Sequence, residues 1–158
     1  MKKFLESPYL SLLVRVVLGG IFIIWSVGKI ADPVKFAEEI MNYRMVPLFF
    51  VNIMAMTFPW VELVAGVLLV AGVRLKANSA IIGGMLVMFI IAILIAMIQG
   101  LDIGCGCSTE SATKVGLPKI LEDLAMLLGA VYIFYFPNKR LTLENLALKE
   151  IEYKVEAE

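Results

Sequence analysis

Four long apolar stretches dominate the sequence and limit what the chain can fold into. They cover residues 8–30, 48–72, 77–98 and 117–136, and a helix needs ~20 apolar residues to cross the hydrocarbon core of a bilayer. The chain is 61% apolar and 18% charged, whereas a soluble domain is near ~45–50% apolar and ~25% charged. We therefore predict an all-α membrane protein, built as a bundle of four transmembrane helices.

Two flanking segments have a different character. Asp32 and Pro33 are typical of a helix N-cap followed by proline at the first helical position. Residues 34–43 then place apolar side chains on one face, which predicts a short helix lying at the membrane surface after the first span. We divide the chain into a transmembrane domain at residues 1–137 and a charged tail at residues 138–158. We predict that this tail is amphipathic and cytoplasmic.

Lysine and arginine in short loops favour the cytoplasmic side of a membrane. More of them lie at the chain ends and between the second and third spans than in the other loops, which predicts both termini in the cytoplasm. The loop before the fourth span then faces the periplasm or exterior, in a multi-pass protein of the cell (inner) membrane. The basic residues on the predicted cytoplasmic side are Lys2, Lys3, Arg74, Lys76, Lys139, Arg140 and Lys149. Those on the predicted outer side are Lys29, Lys35, Arg44 and Lys114.

Several function classes are excluded by composition. The chain has 14 basic and 14 acidic residues and no histidine. The balanced charge, without a basic block, does not indicate a nucleic-acid partner. The lack of histidine removes histidine-ligated haem, most catalytic zinc sites and any histidine general base. The two cysteines are therefore the most reactive side chains available.

Cys105 and Cys107 lie in the outward-facing loop, separated only by Gly106. A disulfide across one residue closes a very small ring and should be easily reduced. We therefore predict a redox pair on the extracytoplasmic side, where disulfides persist. It would exchange electrons with a thioredoxin-like or maturing secreted partner. The pattern leaves open whether the chain is itself a thiol–disulfide oxidoreductase, and whether it forms homo-oligomers.

Two other functions fit the same residues. Thiolates at this spacing can hold copper(I) or mercury(II), so Cys105 and Cys107 would also suit a soft-metal binding or transport protein. Alternatively, the chain is a non-catalytic membrane assembly factor for a redox partner. No cofactor is firmly implied, although a quinone is compatible with the redox hypothesis.

Ionisable residues inside membrane helices usually face a partner or a cavity. Arg15 and Glu62 lie within the first and second spans, where we predict an ion pair or, alternatively, a proton relay or quinone site. Glu122 and Asp123 complement the helix dipole at the start of the fourth span. Together with Lys29 they are candidates for a shell supporting the cysteines, because a cation lowers the pKa of a thiol.

These residues together resemble the DoxX-like membrane proteins, and within them the redox-associated MauE-like (methylamine utilisation) branch. The resemblance covers about residues 7–137 and implies a four-helix membrane bundle associated with thiol–disulfide chemistry outside the cytoplasm. MauE-like proteins are linked to maturation of a disulfide-rich periplasmic dehydrogenase subunit, and other DoxX-like members to quinol oxidation. The matching pieces are Leu13-Val14-Arg15, Gly19-Gly20, Gly28-Lys29-Ile30, Asp32-Pro33, Phe36-Ala37, Asn42-Tyr43, Pro47, residues 62–66, residues 102–107 and Glu122-Asp123-Leu124.

Overall fold

A computed structural model of the chain describes residues 7–100 and 116–138, with Thr142 and Asn145 from the tail. Cys105, Cys107 and most of the predicted amphipathic tail lie outside the described residues. All regular structure in the described part is helical. The helices are α1 (Pro8–Ala31), α2 (Pro33–Asn42), α3 (Leu48–Ala71), α4 (Leu75–Ile98) and α5 (Leu117–Tyr135).

Three of these helices are long and apolar enough to cross a membrane: α1, α3 and α4. Each has 24 residues, which at 1.5 Å per residue gives about 36 Å, enough for a hydrocarbon core of about 30 Å. Only about a third of their most apolar window is buried, 28–33%, so most of their apolar surface faces outward. The shorter α5 contains Lys119, Glu122 and Asp123 and is less apolar.

Close contacts between helices establish their relative directions. Arg15 near the start of α1 contacts the end of α3, and Gly19 lies against Gly66, so α1 and α3 are antiparallel. Gly129 late in α5 lies against Val14 early in α1, so these two helices are antiparallel as well. The end of α1, the start of α3, the end of α4 and the start of α5 therefore share one end of the bundle, which we call the upper end.

The turn between α3 and α4 is tighter than the sequence suggested. Gly72 (φ 78°) and Arg74 (φ 44°) both adopt left-handed conformations, which reverse the chain within a few residues. The Asn78 side chain donates a hydrogen bond to the Val73 carbonyl at 2.6 Å. Helix α4 begins at Leu75, two residues before the predicted start at about residue 77.

The short helix predicted after the first span is α2. The Asp32 carboxylate accepts a hydrogen bond from the Lys35 backbone amide at 3.0 Å, and Pro33 occupies the first turn. The predicted N-cap and proline positions are therefore confirmed. Phe36 is its buried residue, and this face packs mainly against α3 and also against α1.

Neighbouring glycines in α1 have different surroundings. A Cβ atom at Gly19 would lie 2.8 Å from the Gly66 carbonyl oxygen, whereas one at Gly20 would meet nothing within 4 Å. Gly19 therefore permits the close approach of α1 and α3, as small residues do between membrane helices. Gly20 does not take part in this contact.

We expect Gly19→Ala to lower the free energy of unfolding by about 1–3 kcal/mol, because the new methyl group collides with a backbone carbonyl that cannot move independently. Gly20→Ala is the matched control and should be neutral or stabilising by up to about 1 kcal/mol. Thermal unfolding of both variants in the same detergent measures the difference. Equal melting temperatures would contradict the close packing.

Candidate functional site

Arg15 closes the lower end of α3. Its Nε donates to the Leu69 carbonyl at 3.1 Å and its Nη2 to the Val70 carbonyl at 3.0 Å. The last carbonyls of a helix have no partner within the helix and carry partial negative charge, so a buried guanidinium stabilises them. Gly72 is required beside it, since a Cβ atom there would collide with Arg15 Nη2.

The expected pairing of Arg15 with Glu62 was wrong, because Glu62 pairs with Lys29 instead. Lys29 Nζ lies 2.8 Å from Glu62 Oε1 and 2.9 Å from Oε2. The exposed fractions are only 5% for Lys29 and 1% for Glu62. The upper part of α3 extends beyond the end of α1, which brings a residue from the middle of α3 against the last turn of α1.

Aromatic rings surround the Lys29 ammonium. Its Nζ lies 5.0 Å from the ring centroids of both Phe36, on α2, and Phe89, on α4. A cation within about 6 Å of a ring centroid is attracted to the ring face. The ion pair therefore connects α1 to α3 through charge, and to α2 and α4 through these rings.

A second buried cation lies at the start of α5. Lys119 Nζ is 3.0 Å from Glu122 Oε2 and 3.3 Å from Asp123 Oδ1, and 4.2 Å from the centroid of the Trp25 ring on α1. Lys119 and Asp123 are buried, whereas the Glu122 side chain is 50% exposed. Lys119 thus holds the two acidic residues that the sequence singled out and links α5 to α1.

Asp123 retains one unused acceptor. Its Oδ2 atom is buried and has no hydrogen-bond partner within the described residues. Its other oxygen, Oδ1, lies 3.3 Å from Lys119 Nζ. A buried carboxylate oxygen without a donor is costly and is suited to accept a proton or a donor group.

We call the Lys29–Glu62 and Lys119–Asp123 pairs together the charged layer. It contains two cations and two carboxylates, each buried. In a medium of low polarity, such groups can hold or transfer protons and can stabilise a nearby charge. How the cysteines lie relative to this layer stays a prediction, because both are outside the described residues.

Lys119 was not predicted as a site residue from the sequence. The available signal was its i,i+4 spacing to Asp123 inside an apolar helix, where opposite charges four residues apart lie on one face. The rings around Lys29 were not predicted either, since no local pattern shows that Phe36 and Phe89 converge on one atom.

The fold and the charged layer define a class: a multi-pass membrane protein whose described part is helical and holds buried ion pairs. Within that class the chain belongs to the MauE family, because the model of the methylamine utilisation protein MauE family matches residues 7–136. The predicted MauE-like resemblance is therefore confirmed. The chain is also similar to methylamine utilization protein MauE of Methylophilus methylotrophus, at 23% identity over 141 residues, covering 87% of this chain and 74% of that protein. No solved structure matches the chain.

The buried Lys29–Glu62 pair leads to a stability prediction. Lys29→Met or Glu62→Gln alone should each destabilise by about 3–5 kcal/mol, because each leaves the partner charged and buried or forces it to neutralise. The double variant Lys29→Met/Glu62→Gln should be clearly more stable than the sum of the single effects predicts, because no uncompensated charge remains. Thermal unfolding of the wild type, the two single variants and the double variant in one detergent measures this double-mutant cycle. Additive losses would show that the two residues do not interact.

Proposed function

We propose that the chain is a membrane accessory protein for the maturation of an extracytoplasmic redox partner, and that it acts by thiol–disulfide exchange at Cys105 and Cys107. The observation that supports this most directly is the position of the pair in the chain. The loop carrying the cysteines leaves α4 and enters α5 at the upper end, and the buried Lys119–Asp123 pair follows within the first two turns of α5.

The exchange requires a thiolate and a group that takes up its proton. A lysine near a thiol lowers the pKa of that thiol, and an unpaired carboxylate oxygen is a proton acceptor. Lys119, Lys29 and Asp123 are the groups of the charged layer that we assign to these tasks. The Cys105–Cys107 disulfide is reduced to two thiols, while two thiols of the partner form a disulfide, so two electrons and two protons pass to this chain.

The reduced cysteines must then be reoxidised by an acceptor that reaches the membrane. We propose a lipid-soluble quinone for this step. Two S–H bonds break and one S–S bond forms, while the quinone takes up two electrons and two protons and becomes a quinol. The named relative is a methylamine utilization protein, so the partner class that we propose is a secreted, disulfide-bearing protein of amine oxidation.

For this function we propose that four helices span the membrane, with α5 as the fourth, and that both termini lie in the cytoplasm. The buried charges of α5 are compatible with a span, since Lys119 and Asp123 neutralise each other inside the bundle. Glu122 is half-exposed near the upper end. The cysteine loop then lies on the outer side of the cell membrane.

Labelling of intact cells tests the topology. We expect a membrane-impermeant maleimide to modify the reduced Cys105 and Cys107 without permeabilisation. The control is a cysteine-free chain (Cys105→Ser, Cys107→Ser) that carries Lys76→Cys, exposed at the opposite end in the first turn of α4. It should be labelled only after permeabilisation. The reverse pattern would place the termini outside.

The redox potential of the pair tests the exchange itself. We expect a reversible two-electron transition between about −120 and −270 mV, where catalytic exchangers are found, in a glutathione series followed by alkylation and mass shift. Thiols that stay reduced across the whole series contradict exchange. Full biological activity of the Cys105→Ser/Cys107→Ser variant would instead favour a non-catalytic assembly factor. Retention of copper(I) or mercury(II) by otherwise inert thiols would favour soft-metal binding.

A further inference from the structure

A cavity of about 360 Å³ lies between α2, α3 and α4 in the upper half of the bundle. Its wall is almost entirely apolar and includes the rings of Phe36, Tyr43, Phe58 and Phe89. Ligand sites typically have volumes of ~300–1,000 Å³, apolar walls and few polar groups. This cavity lies on the same end of the bundle as the two ends of the cysteine loop.

The cavity is accessible from the side of the bundle. Val87 and Ile91 of α4 line it and are 42% and 50% exposed. They belong to the outward-facing apolar surface of a membrane-crossing helix. A molecule that enters between them must therefore be soluble in the hydrocarbon of the membrane.

Two features of the wall favour an oxygen-bearing ring over a saturated acyl chain. Aromatic side chains and methionines form favourable contacts with flat, unsaturated groups, and they make up much of the lining. Glu39 is a half-buried carboxyl in the same wall, where a hydrocarbon chain would give it no partner. Burial raises the pKa of Glu39, and Asp32 acts in the same direction, against Lys35 and Lys29.

The cavity also adjoins the charged layer. Phe36 and Phe89 form part of its wall, and the Lys29 ammonium lies 5.0 Å from the centroid of each ring. The cavity and the Lys29–Glu62 pair therefore share two neighbouring rings. A ring bound against Phe36 or Phe89 would therefore contact the same side chains that Lys29 contacts.

We infer that this cavity binds the head ring of a lipid-soluble quinone, with Glu39 as its polar contact. The inference rests on the proposed function for its role, because the bound quinone is the acceptor that reoxidises Cys105 and Cys107. It was not expected from the sequence, which pointed to Arg15 and Glu62. Arg15 is engaged at the lower end, and both oxygens of Glu62 are engaged by Lys29.

Gly84 offers a way to fill the cavity without disturbing the fold. It lines the cavity, and a Cβ atom there would meet nothing within 4 Å. Gly20 has equally open surroundings on α1 and does not line the cavity. Gly84→Leu and Gly20→Leu are therefore a matched pair of variants, with the same substitution in comparable helical positions.

The test uses the full chain in phospholipid nanodiscs with a photoreactive azidoquinone as the probe and mapping of the labelled peptides. We expect labelling of α2 and α4 that unlabelled decylubiquinone displaces. It should weaken at least about tenfold in Gly84→Leu and stay within about twofold of wild type in Gly20→Leu. The inference would be overturned if both variants showed equal displaceable labelling. It would also be overturned if decylubiquinone did not reduce the labelling of the protein in the phospholipid nanodiscs.

A single-turnover reaction separates this inference from the proposed function. Reduced protein is mixed with decylubiquinone, and the loss of free thiols is followed. If the quinone labels the cavity but oxidises no thiols, the binding site stands and the proposed reoxidation fails. If Gly84→Leu loses its thiols as fast as wild type, the exchange stands and this cavity is not the acceptor site. Glu39→Gln should slow oxidation while Glu38→Gln, one residue away and exposed, should not.

Discussion

Lys29 and Glu62 hold opposite charges 2.8 Å apart inside a bundle whose outer surface is apolar. A single buried charge would cost several kcal/mol, and removing one partner is more damaging than removing both. The pair joins α1 to α3, and the rings of Phe36 and Phe89 bring α2 and α4 to the same ammonium. Four of the five helices in the described part of the chain are therefore positioned around one ion pair.

The fifth helix is joined by the same kind of contact. Lys119 pairs with Asp123 on its own helix and lies over the Trp25 ring of α1. Both cations thus have an aromatic face on one side and a carboxylate on another. Packing between α1 and α3 below this layer depends on Gly19 and Gly66 instead. The upper half of the bundle is consequently organised by charge, and the lower half by close backbone contact and by the Arg15 contacts with the end of α3.

The helices could be predicted from the sequence because their signals are local. The apolar length of each long helix lies within one continuous stretch of sequence. The start of α2 at Asp32–Pro33 and the turn at Gly72 each depend on a few neighbouring residues. The charge pairing could not be predicted in the same way, since it depends on how far each helix extends past its neighbour. Counting residues from the lower side placed Arg15 and Glu62 at roughly similar depths, about one helical turn apart. Arg15 donates to the carbonyls of Leu69 and Val70 instead. Because α1 and α3 are staggered, Glu62 lies beside Lys29 and pairs with it.

The proposed redox cycle also determines which carboxylates can serve it. Reoxidation of two thiols by a quinone moves two protons from the sulfurs to the quinone oxygens. In an apolar interior this needs a group that accepts them at the thiols and a group that donates them at the quinone. Glu62 is poorly suited, because both of its oxygens accept hydrogen bonds from Lys29. Asp123 has one oxygen engaged by Lys119 and one without a partner in the described part of the chain, and Glu39 lies in the cavity wall. We therefore favour a division in which Asp123 accepts the protons that the two thiols release in turn, and Glu39 donates protons to the quinone as it is reduced. Lys29–Glu62 keeps the helices in place.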